Sequence, residues 1–145
     1  TGRLRFTGVS LRDGQGRPTQ FAVSGNPVDI VLSYQTNGEE LRDVAAWIWV
    51  RDHLGRQLTC LYTRATGQSF ELLPAKGNMV IKVPRLPLPQ GSYIIDLTAQ
   101  VGAIHADKVI NAAKLEVVTG DFFGSGVAVG KLGDFLVDHS WALEA

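Results

Sequence analysis

Sulfur is nearly missing from this chain, which has one cysteine, Cys60, and one methionine in 145 residues. A single thiol cannot close an intrachain disulfide, and with three scattered histidines it cannot build a structural zinc site. Cys60 lies in a run of alternating apolar residues and is expected to be a buried, inert thiol, because a reactive one needs an exposed, electropositive setting. Charge is scarce too, at 19% of residues, and 14 Lys+Arg against 14 Asp+Glu leave a formal net charge of zero. That balance removes the electrostatic case for nucleic acid or anionic lipid as the main partner and favours a neutral ligand or one held by short-range contacts. No apolar run approaches the roughly 18 residues of a bilayer span, and no charged-then-apolar leader opens the chain. Asn-x-Ser/Thr sequons are absent, and the chain starts at Thr1 without methionine, which reads as a soluble domain excised from a longer protein.

What the chain does have is apolar residues, 45% of the total, enough for one domain with a real core. Their spacing is that of β-structure, recurring at i, i+2 and i+4 between turn signals, with no convincing helix. Strands are expected over Arg3–Leu11, Val28–Gln35, Leu41–Asp52, Gln57–Arg64, Ser69–Leu73, Met79–Val83, Tyr93–Val101 and Asn111–Val118. His53-Leu54-Gly55-Arg56 reads as a tight hairpin connection, and the prolines at 84, 87 and 89 make Pro84–Gly91 a stiff loop across one end of a sheet. So many short strands without helices predict an all-β fold, an immunoglobulin-like antiparallel β-sandwich, although the Cys-Trp-Cys spacing of antibody domains is missing. After Thr119 the pattern changes. Asp121-Phe122-Phe123-Gly124-Ser125-Gly126 is glycine-rich and aromatic, and Val127–Val137 resumes strand-like composition, so residues 1–126 are expected to form the sandwich body and 127–145 a late strand and tail able to pair with its own sheet or that of a neighbouring copy.

Catalytic signatures are weak. Gly126-Val127-Ala128-Val129-Gly130-Lys131-Leu132 is one residue short of a phosphate loop and has Leu132 where a magnesium-binding hydroxyl is needed. Gly124-Ser125-Gly126 lacks the third glycine of a dinucleotide site and precedes no helix. Asp52 and His53 sit at a hairpin tip, His105 and Asp107 read as loop residues without a nucleophile nearby, and Asp138-His139 is near the terminus. The chain is therefore expected to be neither an enzyme nor a cofactor-binding domain.

Trp47 and Trp49 carry more information. In the third strand Val44, Ala46, Ile48 and Val50 already form a core stripe, so the two indoles, about 7 Å apart by the strand rise, fall on the other face with Arg51. They are an exposed aromatic platform, a subunit interface or a second core layer. Indoles stack on the C–H faces of sugars, whose hydroxyls need polar neighbours, and Asp96, Thr98 and Gln100 share one face of another strand. If the two strands are neighbours, Trp47, Trp49, Arg51, Asp96, Thr98 and Gln100 together have the composition of a carbohydrate site. A protein-interaction or assembly module, with the tryptophans against a partner, is the alternative.

An ordered set of residues carries a resemblance. It comprises Val50-Arg51-Asp52 and Gly55, Tyr62-Thr63, Leu86-Pro87-Leu88 with Gly91-Ser92-Tyr93, Asp107, Ala113, Val117, the run Gly120-Asp121-Phe122-Phe123-Gly124-Ser125-Gly126, and Trp141. From about Thr7 to Trp141 the chain resembles the C-terminal domain of Wzt, the ATP-binding subunit of bacterial O-antigen polysaccharide ABC transporters. The resemblance implies a non-catalytic, immunoglobulin-like carbohydrate-binding domain that recognises finished, lipid-linked O-polysaccharide at the cytoplasmic face of the inner membrane. It implies as partners the glycan, the ATP-binding domain and the transmembrane transporter subunit of the full-length protein, and a second copy with which the C-terminal strand, here Val127–Val137, is exchanged in a homodimer. No cofactor and no nucleic acid are expected, and contact residues in such domains vary with the glycan, so the six site residues rest on the strand reading alone.

Overall fold

The computed structural model describes residues 2–144 and contains ten strands: β1 (Leu4–Asp13), β2 (Pro18–Thr19), β3 (Ala22–Val23), β4 (Val28–Thr36), β5 (Leu41–Arg51), β6 (Gln57–Tyr62), β7 (Phe70–Leu73), β8 (Lys76–Val83), β9 (Gly91–Val101) and β10 (Ile104–Val118). They form two sheets, one ordered β2-β1-β4-β8 and the other β3-β10-β9-β5-β6, with β7 pairing the start of β5. All pairings are antiparallel except β3 with β10. This is an immunoglobulin-like sandwich, as the periodicity predicts. No helix among the described residues is long and apolar enough to cross a membrane.

Alternation builds the core. Val28, Ile30, Leu32 and Tyr34 of β4 face Val44, Ala46, Ile48 and Val50 of β5 and Tyr93, Ile95, Leu97, Ala99 and Val101 of β9, all buried. Each large aliphatic side chain so enclosed contributes about 1.5–3 kcal/mol.

The structure extends two expected strands and corrects one loop reading. Strand β8 starts at Lys76, and β10 starts at Ile104, well before the expected Asn111. His105 and Asp107 are therefore strand residues, not loop residues. Register shifts between His105 and Asp107 and between Val109 and Ala113 break the period-two pattern, so alternation alone loses the first half of β10. The tail of the single chain follows a path of its own. Among the described residues, 119–144 contain no strand, because Gly126, Gly130 and Gly133 take φ of +90°, +62° and +76° and interrupt any extended run between Val127 and Val137.

Instead the segment is anchored over the proline loop. Leu136 is buried and donates its N–H to the Pro87 carbonyl at 2.7 Å, and Arg56 pairs with Asp134 at 3.2 Å. The Arg85 guanidinium lies 3.6 Å from the centre of the buried Phe122 ring and also donates to the Phe122 carbonyl and to Asp138. Below it, the loop is stitched to residues 24–26. The Ser24 hydroxyl donates to the Leu88 carbonyl at 2.7 Å, and Tyr93 donates from its hydroxyl to the Pro89 carbonyl at 2.7 Å. Backbone approach here is tight, for a Cβ on Gly120 would lie 2.3 Å from the Ser24 carbonyl oxygen.

Gly120→Ala is accordingly expected to destabilise the domain by about 1–3 kcal/mol, the usual cost of forcing atoms into a filled site. Gly8→Ala, at a position where a Cβ meets nothing within 4 Å and φ is not left-handed, is expected to leave the midpoint of chemical denaturation nearly unchanged. Equal midpoints for the two variants would contradict this account.

Candidate functional site

Strands β5 and β9 are neighbours, and their register sets the outer face of the larger sheet. Trp47 stands opposite Thr98, Trp49 opposite Asp96, and Ala45 opposite Gln100. On the other side of β5, Tyr62 of β6 stands opposite Trp47 and Cys60 opposite Trp49. Lys108 of β10 stands opposite Thr98. Rows of side chains thus run Tyr62, Trp47, Thr98, Lys108 and Cys60, Trp49, Asp96 across four strands.

Trp47, Trp49, Asp96 and Thr98, with Gln57, His105, Lys108 and Ile110, line an open groove of about 150 Å³. That is smaller than the roughly 300–1,000 Å³ of an engulfing small-molecule pocket, and it suits a chain laid across a surface more than an enclosed ligand. Both indoles are half-buried. Trp47 is held between two edge-to-face neighbours, Tyr62 with ring centres 5.3 Å apart and His105 at 5.5 Å.

The floor is an ion pair. The Arg51 Nε donates to Asp96 Oδ2 at 2.8 Å and Nη2 to Oδ1 at 3.0 Å, a two-pronged contact that fixes both groups in one plane. Asn111 closes the arrangement by donating its backbone N–H to Asp96 Oδ1 at 2.8 Å and accepting from Arg51 Nη2 through its side-chain carbonyl. It can do so because it sits in the second irregularity of β10 with φ of +56°, a left-handed value that asparagine tolerates better than most residues. The Arg51 guanidinium holds the Asp96 carboxyl below the ordinary carboxylate range, against the opposing effect of burial and with help from the Asn111 N–H. Cys60 is half-buried, not enclosed as its alternating run suggests, and the burial it has raises its thiol above the usual value.

Of the six residues that the sequence singles out, four line the groove, Arg51 is tied to its floor, and Gln100 lies one residue pair beyond it, opposite Ala45 and His105. Sequence reasoning missed Tyr62, Gln57, His105, Lys108, Ile110 and Asn111. Tyr62 could have been found from the four-residue hairpin loop, which brings β6 back beside Trp47. The β10 residues could not, because the irregular register of that strand hides which of its side chains face outward.

The other acidic candidates serve the frame. Asp52 is buried, with Oδ1 accepting the Leu54 and Arg56 N–H groups and Oδ2 accepting from Arg56 Nε at 2.7 Å, which shapes the hairpin turn. Burial pushes its carboxyl up, but the bonds from Arg56 and Leu54 outweigh that and leave it lowered. Asp107 accepts the Phe6 N–H from the first strand at 2.8 Å. No cluster of three or more His, Cys, Asp or Glu side chains among the described residues could hold a metal ion.

A family model described as the Wzt C-terminal domain matches residues 1–128. The chain belongs to the Wzt C-terminal domain family. The family is associated with O-antigen transport, and its C-terminal domain is a non-catalytic part of the transporter. The fold agrees, for a crystal structure of the C-terminal domain of Wzt superposes with a TM-score of 0.76 over 99% of this chain and 86% of that one, at 12% identity. A search of curated protein sequences gives no match.

Because the folded-state value of Asp96 lies below its unfolded value, the Arg51–Asp96 pair contributes stability that is complete above about pH 3.9 and drains away as pH falls through the lower, folded value. Carboxyl carbon NMR is expected to show Asp96 titrating below that reference. A midpoint at or above it would contradict the paired geometry.

Proposed function

We propose that this domain binds O-antigen polysaccharide and selects it for export by an ABC transporter, without catalysing any reaction on it. One observation carries the reading: Trp47 and Trp49 stand half-exposed beside hydrogen-bonding side chains on a face that the core does not need, in a chain of this family. On this reading sugar rings lie on the two indoles, and Asp96, Thr98 and Gln100 meet hydroxyls. Arg51 holds Asp96 in place from below and leaves one of its lone pairs for a ligand.

Affinity at one such site is weak. A sugar gives up water hydrogen bonds to gain similar ones, so stacking supplies most of the surplus. Two sites gripping one repetitive chain raise the effective affinity without new contacts. The second site comes from a second copy, in a homodimer assembled through the tail, whose Val127, Leu132, Phe135, Val137, Trp141 and Leu143 are all exposed. Exchange of 127–137 between copies would cover that apolar surface. The remaining partners on this reading are the ATP-binding domain and transmembrane subunit of the transporter, which place the domain at the cytoplasmic face of the inner membrane.

Titrating the protein with the O-polysaccharide of its source strain, beside unrelated polysaccharides, is expected to give a saturable change in tryptophan emission for the cognate glycan alone. Trp47→Ala and Trp49→Ala are each expected to weaken binding about tenfold or more with an unchanged denaturation midpoint. Normal binding by both variants would move the indoles to an assembly surface, and a response that appears on dilution without sugar would do the same.

Sedimentation is expected to give a dimer for the full chain and a folded monomer when the chain is ended after Gly126. A full-length chain that remains monomeric at high concentration would remove the paired-site account while leaving the single groove.

A further inference from the structure

Among its described residues the groove carries a net positive charge, because Lys108 adds a cation beside the Arg51–Asp96 pair. Asp96 and Lys108 line it, and Arg51 is tied to its floor through Asp96. Arg51 and Asp96 are spent on each other, and Asp96 is the only carboxylate among the residues lining the groove. Lys108 forms no ion pair within 4.0 Å among the described residues.

Its surroundings explain why. Thr98 stands opposite it and Ile110 lies two residues along the same strand, while Asp96, bonded to Arg51 and Asn111, feels the Lys108 charge without forming an ion pair with it. The adjacent Asp107 has both oxygens engaged, Oδ2 with the Phe6 N–H and Oδ1 with the Lys108 backbone N–H. His105 contributes its ring edge to Trp47. An ammonium group is therefore left free at the margin of two indole surfaces. A bound sugar would bring its ring over the indoles and its substituents to that margin. A neutral hydroxyl there would gain an ordinary hydrogen bond, whereas an anionic oxygen would gain a charge-assisted one.

We infer that the glycan accepted by this groove carries an anionic group, a carboxylate or a phosphoryl group, which Lys108 binds while a sugar ring of the same repeat lies on Trp47 and Trp49. The inference rests on the carbohydrate reading above and adds the charge of the ligand to it. Short-range recognition of this kind is compatible with a net charge of zero, because the attraction is local and acts over a Debye length of about 10 Å at 0.1 M salt.

The test uses the full chain and the source strain's O-polysaccharide in three forms: untreated, chemically reduced at its carboxyl groups, and dephosphorylated. Binding of the untreated form is expected to fall as salt rises. One of the two treatments is expected to weaken binding about five- to tenfold, the range of an exposed charge-assisted contact, and thereby to identify the source of the charge. Lys108→Ala is expected to cause the same loss on the untreated glycan and none on the glycan that has lost the group. Lys108→Glu is expected to lose more, and Lys82→Ala, on β8 of the other sheet, nothing. If both treated forms bind like the untreated one and Lys108→Ala changes nothing, while Trp47→Ala still removes binding, the ligand is neutral and the inference fails with the carbohydrate reading intact. If the untreated polysaccharide does not bind at all, both fail together.

Discussion

An antiparallel ladder has a side-chain period of two, so the single register between β5 and β9 decides the core and the groove in one step. With Ile48 opposite Leu97 and Val50 opposite Ile95, the inner face is closed, and Trp47 opposite Thr98 and Trp49 opposite Asp96 are then committed to the outer face. A slip by one residue would put two indoles and an ion pair into the sandwich and the aliphatic stripe into water. The burial of Ile48, Ile95 and Leu97 therefore holds the groove in place, although none of the three touches it.

The outer face needs its own support, since half-buried indoles and a buried carboxylate are costly when unpartnered. Asp96 meets that cost through Arg51 and Asn111, and the Asn111 contribution requires the irregularity in β10. Without it, residue 111 would continue the ladder and its N–H would be directed along the sheet. The break in register that hides β10 from a reading of alternation is thus the feature that completes the floor of the groove. Trp47 is likewise fixed by edge contacts on both sides, which leaves it little freedom to lose when a ligand arrives.

Legibility followed the same physics. The longer strands apart from the start of β10, the hairpin at 53–56, the stiff proline loop and the pairing of the two tryptophans with Asp96 and Thr98 were readable, because each depends on local pattern or on a short connection, whereas the two-residue strands β2 and β3 are too short to show a period. The first half of β10 was not readable, because two irregularities interrupt its period, and with it Lys108, His105 and Asn111 stayed hidden. The path of the tail was not readable for a different reason. Val127, Val129, Phe135 and Val137 have strand composition, but left-handed glycines and contacts from Arg56, Arg85 and Pro87 decide its path within one chain. Those contacts come from residues far away in sequence.

The residues that carry the family resemblance belong to the frame more than to the groove. Asp52 and Gly55 shape a turn, Leu86 and Leu88 are buried in the loop, Tyr93 ties that loop to the sheet, Asp107 reaches the first strand, and Gly120 and Phe122 fill a junction with no spare room. Of the quoted set, only Arg51 and Tyr62 reach the groove region, one through the floor and one through the edge of Trp47. The shared residues therefore specify a frame and present an outer face whose remaining positions, Trp47, Trp49, Thr98 and Lys108 among them, are free to differ without disturbing the core. A frame of that kind can be kept constant while the outer face is rebuilt, so what sets this domain apart has to be read from its groove and not from its family.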